Sequence, residues 1–259
     1  MFHLTREVRF ALSEPNDPQF RDRPTNSFGG YPTLRGVQPF LTIQITLAGQ
    51  LQSNSSYLRN IKEIDDVVRK RAIAKMNGWI DAPHAIPVKL FDLLCDAWPG
   101  TQLERVDLLL SPYLSLSCSS SEHPMIRLSQ TFEFCASHRL HNDALSDEEN
   151  RKTFGKCNNP FGHGHNYRLK VTLKGTPGSN GILIDVPAME RIVDQAIIER
   201  FDHKNLNVEV PDFKNLLPSV ENIAMVIYRT LKPRFAETPA KLANVKVWET
   251  SKTACEYEE

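Results

Sequence analysis

Leu4–Leu12, in LTREVRFAL, alternates apolar and polar positions as a half-buried strand does. A loop with five prolines between Ser13 and Pro39 follows, then the β-branched run FLTIQITLAG (40–49), a second strand ending in Gly49. IKEIDDVVRKRAIAKM (61–76) changes period: Ile61, Ile64, Val67, Val68 and Ile73 recur at helical spacing. The second half replays this order. LSQTFEFCASHRL (128–140) reads as a strand, a polar loop follows, NYRLKVTLKG (166–175) is a strand ending in Gly175, and VPAMERIVDQAIIERF (186–201) is a helix. The offsets agree: 124 between Phe10 and Phe134, 126 between Gly49 and Gly175, 125 between Val68 and Val193. Each half then offers a second helix (about 87–97 and 219–231) and a closing strand pair (about 103–118 and 242–257). The expected fold class is α+β: two tandem units, 1–120 and 126–259, each an antiparallel sheet packed by two helices, joined at the small, polar SSSEHPM (119–125). The alternative is one irregular α+β domain whose internal spacing is coincidence.

Composition narrows the class. The 259 residues carry 31 Lys+Arg against 31 Asp+Glu, so neither the basic footprint of a nucleic-acid binder nor a polybasic membrane-surface signal is present. No apolar run reaches the ~18–20 residues of a membrane span, and MFHLTREVRF has no apolar block of a secretory signal. Five cysteines without a CxxC pair argue for a reducing, cytoplasmic setting rather than a disulfide framework.

The chemistry concentrates in the second half. His163 and His165 flank Gly164 on an extended chain, so both imidazoles point to one face. His138 ends the preceding strand and can join them if the two strands pair. Three imidazoles suit zinc and leave a fourth position open, although histidines at strand ends also cap or bond to the backbone. Cys157, six positions before His163, is a candidate nucleophile or base if neighbouring imidazoles and a cation favour its thiolate, while Cys95, Cys118, Cys135 and Cys255 read as inert thiols. Asp202–His203 is a carboxylate–imidazole pair at a helix end, a pattern that serves an orienting pair but on local sequence reads first as a C-cap. Glu249, between Trp248 and Thr250, can face two parallel N–H donors of a guanidine-like ring edge or simply solvent.

Taken together, CASHRL (135–140), LSDEENRKTFGKCNNPFGHGHNY (145–167), FDHKNLN (201–207), SVENIA (219–224) and VWETS (247–251) resemble the 6-pyruvoyl-tetrahydropterin synthase family over about residues 127–257. The resemblance implies the tunnelling fold (T-fold), with antiparallel sheets backed by helix pairs that assemble into a barrel. It implies zinc on His138, His163 and His165, Cys157 as the catalytic cysteine with Asp202 and His203 as its partners, Glu249 anchoring the pterin ring, and Ser219 as a hydroxyl beside it. The implied substrate is 7,8-dihydroneopterin triphosphate, and no nicotinamide or flavin is needed because electrons move within the substrate. Relatives in the same family instead form 6-carboxytetrahydropterin for the queuosine pathway and release acetaldehyde. The six-residue step from Cys157 to His163 resembles the pyruvoyl-forming branch. A non-catalytic pterin- or purine-binding module is the reading from another class. Two positions depart from the family pattern: Phe161 stands where Asn is usual, and Cys135 where a small hydroxyl residue or Ala is common.

Aligned at these offsets, the first half places Val37 and Pro39 opposite His163 and His165, Glu14–Pro15 opposite His138, and Leu110 or Ser111 opposite Glu249. It is expected to be catalytically silent and to take the place of a neighbouring subunit, so that three chains close a ring as a homo-oligomer.

Overall fold

The computed structural model describes residues 1–12, 26–28 and 37–259. Most of the proline-bearing loop, including Glu14–Pro15, lies outside the described residues. By their contacts the residues form two units, Met1–Leu128 with Gly175–Leu183, and Ser129–Lys174 with Ile184–Glu259.

The first unit builds an antiparallel sheet from β1 (Phe2–Ala11), β2 (Phe40–Gly49), β3 (Thr101–Leu109) and β4 (Leu114–Ser119), paired in that order. Alternation sends Val8 and Phe10 of β1, Ile43, Ile45 and Leu47 of β2 and Val106 and Leu108 of β3 into the core. The helical segment 61–76 is continuous but not uniform: α1 (Ile61–Val67) widens into a π turn at Val68–Ile73 before α2 (Ala74–Met76). Its apolar stripe, Ile64, Val68, Ala72 and Met76, is buried, as are Leu90 and Leu94 of α3 (Ile86–Leu94).

The second unit follows the same plan. β5 (Ile126–His138) neighbours β6 (His163–Gly175), which pairs antiparallel with β8 (Lys241–Thr250) and that with β9 (Thr253–Tyr257). α5 (Val186–Val193) opens on the Asp185 cap and Pro187, widens into a π turn at Asp194–Ile198 and ends as α6 (Glu199–Phe201). After the two-residue β7 (Lys204–Asn205), parallel to β5, and α7 (Leu206–Glu209), the long α8 (Val220–Phe235) buries Ile223, Ile227, Leu231 and Phe235.

Two irregularities recur at the same 126-residue offset. The β2–β3 register slips between Thr46 and Leu47 and the β6–β8 register between Thr172 and Leu173; the π turns begin at Val68 and Asp194. A bulge and a widened turn each leave backbone groups outside the regular ladder, so neither arises from generic apolar periodicity.

The polar stretch after β5, read from the sequence as loop, contains α4 (Asp147–Phe154). Its signal is a capping box: Ser146 accepts from the Glu149 N–H while the Glu149 carboxylate accepts from the Ser146 N–H at 2.8 Å. With only Asn150 buried, the helix shows no apolar period to betray it.

Candidate metal centre

His163, His165 and Tyr167 occupy alternate positions of β6 and so share one face, and His138 ends β5 alongside. The nitrogens that His138, His163 and His165 can offer a metal lie within 4.8 Å of one another. His138 is fully buried, and its Nδ1 lies 2.6 Å from the Pro218 carbonyl just before α8. A carbonyl only accepts, so this contact makes Nδ1 the protonated nitrogen and leaves the Nε2 lone pair for an ion. Burial pushes the His138 and His165 imidazoles below their ordinary values, against the raising influence of Pro218 on the first and Glu249 on the second. Both are therefore neutral near pH 7, as metal ligation requires.

Two orphan atoms sharpen the fit. Among the described residues, neither the buried His163 Nδ1 nor the buried His165 Nε2 has a hydrogen-bond partner. Glu249 on β8 turns Oε1 toward the cluster, 3.3 Å from His138 Nε2 and 3.8 Å from His165 Nε2. Three imidazoles beside a carboxylate fit a divalent ion with nitrogen preference. Gly162, at φ +73°, leads into His163; a Cβ there would stand 3.0 Å from the His138 carbonyl oxygen, so a side chain at 162 would crowd the strand exit.

The other expected site residues fall in three places. Cys157 is half-buried at the end of a short 3-10 turn, Gly155–Asn158, its carbonyl accepting from the Leu140 N–H at 2.9 Å. Asp202 accepts from the Cys135 N–H at 2.7 Å and holds His203 Nδ1 at 2.8 Å; the Cys135 bond is the main cause that lowers its carboxyl. Asp202 also terminates α6, and His203 takes φ +58°, so cap and carboxylate–imidazole pair coexist. Among the described residues no hydrogen bond joins Cys157 to this pair, whose imidazole is exposed. Ser219 caps α8, accepting from the Asn222 N–H at 3.4 Å, directly after the Pro218 carbonyl that holds His138. Phe161 is 94% exposed and lines no part of the imidazole cluster.

Sequence reading missed Tyr167. Its ring stacks on Phe134 at 5.0 Å and meets the His165 ring edge-on at 5.6 Å. Its buried hydroxyl has no hydrogen-bond partner among the described residues, and burial, with Glu249 and Cys157 nearby, raises it. The period-two series His163–His165–Tyr167 carried the signal.

The family model described as 6-pyruvoyl tetrahydropterin synthase matches residues 127–259. The chain belongs to the 6-pyruvoyl tetrahydropterin synthase family. The human 6-pyruvoyl tetrahydrobiopterin synthase is 40% identical over 132 residues, 51% of this chain and 90% of the relative. The solved 6-pyruvoyl tetrahydropterin synthase of Caenorhabditis elegans is 36% identical, with a TM-score of 0.50, over 52% of this chain and 96% of that one. A hyper-thermostable uricase mutant shares the fold alone, at 9% identity and TM-score 0.50, over 100% of this chain and 91% of its own. Membership of the synthase family makes this chain an enzyme of the lyase class. Among the described residues, no helix is long and apolar enough to cross a membrane.

Proposed function

We propose that the chain is a zinc-dependent 6-pyruvoyl-tetrahydropterin synthase acting on 7,8-dihydroneopterin triphosphate. The observation that carries this reading is the cluster of three imidazoles, two with orphan nitrogens, beside the Glu249 carboxylate. His138, His163 and His165 hold the ion, which when bound supplies Lewis acidity toward the substrate side chain. Glu249 binds the 2-amino and N3 edge of the pterin through paired charge-assisted bonds. Cys157 as thiolate takes the proton from the side-chain carbon next to the ring, and Asp202–His203 relay protons to and from the site. Loss of triphosphate with tautomerisation accounts for one carbonyl of the product. The electron pair released at the carbon next to the ring reduces the dihydropterin to the tetrahydro level, so no external redox cofactor enters.

The first unit is read as a second T-fold without the imidazole cluster, standing in for a neighbouring subunit so that three cytoplasmic chains complete a ring. The matching bulges and π turns at one offset support a common origin of the units. Sedimentation velocity checks the ring: a trimer is expected, and a stable monomer overturns it.

The activity is tested with zinc-loaded protein and 7,8-dihydroneopterin triphosphate, products resolved by mass spectrometry. The pyruvoyl product without acetaldehyde is expected, in line with the six-residue spacing from Cys157 to His163. A carboxy product with acetaldehyde moves the chain to the other branch, and bound pterin without turnover leaves a binding module.

A further inference from the structure

The chain leaving β5 after His138 is the meeting point of the segments that carry Cys157 and the Asp202–His203 pair. From the Cys157 side, Leu140 N–H donates to the Cys157 carbonyl at 2.9 Å, and Asn158 Nδ2 donates to the Leu140 carbonyl at 2.8 Å. Arg139 Nε returns to the Asn158 carbonyl at 3.2 Å. His141 Nδ1 completes the knot, 3.0 Å from Asn158 Nδ2 and 3.2 Å from Arg139 Nη2. On the opposite flank, Asn207, from the segment after Asp202–His203, accepts from the Arg139 N–H at 2.7 Å and donates to its carbonyl at 3.0 Å.

The two flanks differ in what they hold. Asn158 is only 8% exposed, and the two carbonyls that follow the Cys157 α-carbon, its own and that of Asn158, both accept from the 139–140 exit. The turn that bears Cys157 is four residues long and starts at Gly155, at φ +52°. Such a turn has few hydrogen bonds of its own, so its place beside the strand exit depends on these bonds. Asn207 grips Arg139 and, among the described residues, makes no hydrogen bond to the Cys157 turn.

The geometry points to Asn158 as a positioning residue that fixes the Cys157 thiol relative to the imidazole cluster. This rests on the proposed role of Cys157 as the proton-abstracting group. A misplacement of about 1 Å at such a group costs on the order of 100-fold in rate.

The test uses Asn158→Ala and Asn207→Ala in the full chain. It reads kcat and KM, zinc content, and the rate at which iodoacetamide alkylates Cys157, followed by peptide mass spectrometry. Asn158→Ala is expected to lower kcat by ~10–100-fold with KM and zinc within about twofold, and to change the Cys157 alkylation rate at least about threefold. Asn207→Ala is expected to leave that alkylation rate at the parent value. Equal alkylation in parent and Asn158→Ala, or the same change in both variants, overturns the assignment. Should Asn158→Ala lose its zinc, Asn158→Ser keeps a short donor and is held to the same comparison. If the parent does not turn over the pterin, the proposed function fails while the alkylation comparison still decides the role of Asn158.

Discussion

His138 and His163 face each other nitrogen to nitrogen, their Nε2 atoms 3.1 Å apart, while the other nitrogen of His138 is committed to the Pro218 carbonyl. Two lone pairs at that separation repel unless a proton or a cation lies between them. His163→Ala is therefore expected to abolish stoichiometric zinc, with a loss of affinity larger than the ~10–100-fold that removing an outer partner costs. Metal analysis after dialysis against a graded chelator measures it. Retention of one equivalent of zinc contradicts the cluster as the metal centre.

Cys157→Ala separates chemistry from binding. Turnover is expected to fall by ~10²–10⁴-fold, the usual worth of a positioned acid or base, with zinc content unchanged. Single-turnover product formation with matched zinc loading is the measurement. Unchanged turnover assigns the proton transfer elsewhere.

Gly181 sits at φ +71°, and a Cβ on it would stand 2.3 Å from the Ala82 Cβ. Gly181→Ala combines a left-handed backbone with overpacking and should destabilise the protein by about 1–3 kcal/mol. Ala82→Gly in the same chain should restore part of the loss. Urea midpoints of the three proteins provide the readout, and an unchanged midpoint in Gly181→Ala contradicts the close approach.

His84 is 4% exposed, and its Nδ1 accepts from the Leu183 N–H at 3.0 Å. Burial lowers its pKa from the ordinary 6.5, so the unfolded chain binds the proton first as pH falls. Stability from this residue is complete above about pH 6.5 and declines below it, toward the depressed folded value. His84→Asn should flatten the acid limb of the urea midpoint between pH 7.5 and 5.5. An equally steep limb removes His84 as its source.

Much of this was legible in the sequence because it depends on period. Strands with alternating burial, such as β2 with Ile43, Ile45 and Leu47, announce themselves, as does the shared face of His163 and His165. The candidate site was readable as residues but not as an arrangement. The Pro218 carbonyl that selects the His138 tautomer is a backbone atom 80 positions away, and the turn of Glu249 toward the imidazoles depends on pairing of β8 with β6. α4 escaped because its register is written in a cap rather than an apolar stripe, and the π turns because they preserve the buried face while changing only the hydrogen bonding.

The segment Gly175–Leu183 follows β6 yet packs with the first unit, where Gly181 lies on Ala82 and Leu183 is 2% exposed. A cut at the turn around Ser119–Met125 would thus separate Gly175–Leu183 from the rest of the first unit. A fragment ending there would lack a piece of its own covering, and the remainder would carry Leu183 into water without the bed that shelters it. The first unit is thus discontinuous in sequence, completed by nine residues that the chain supplies only after β6.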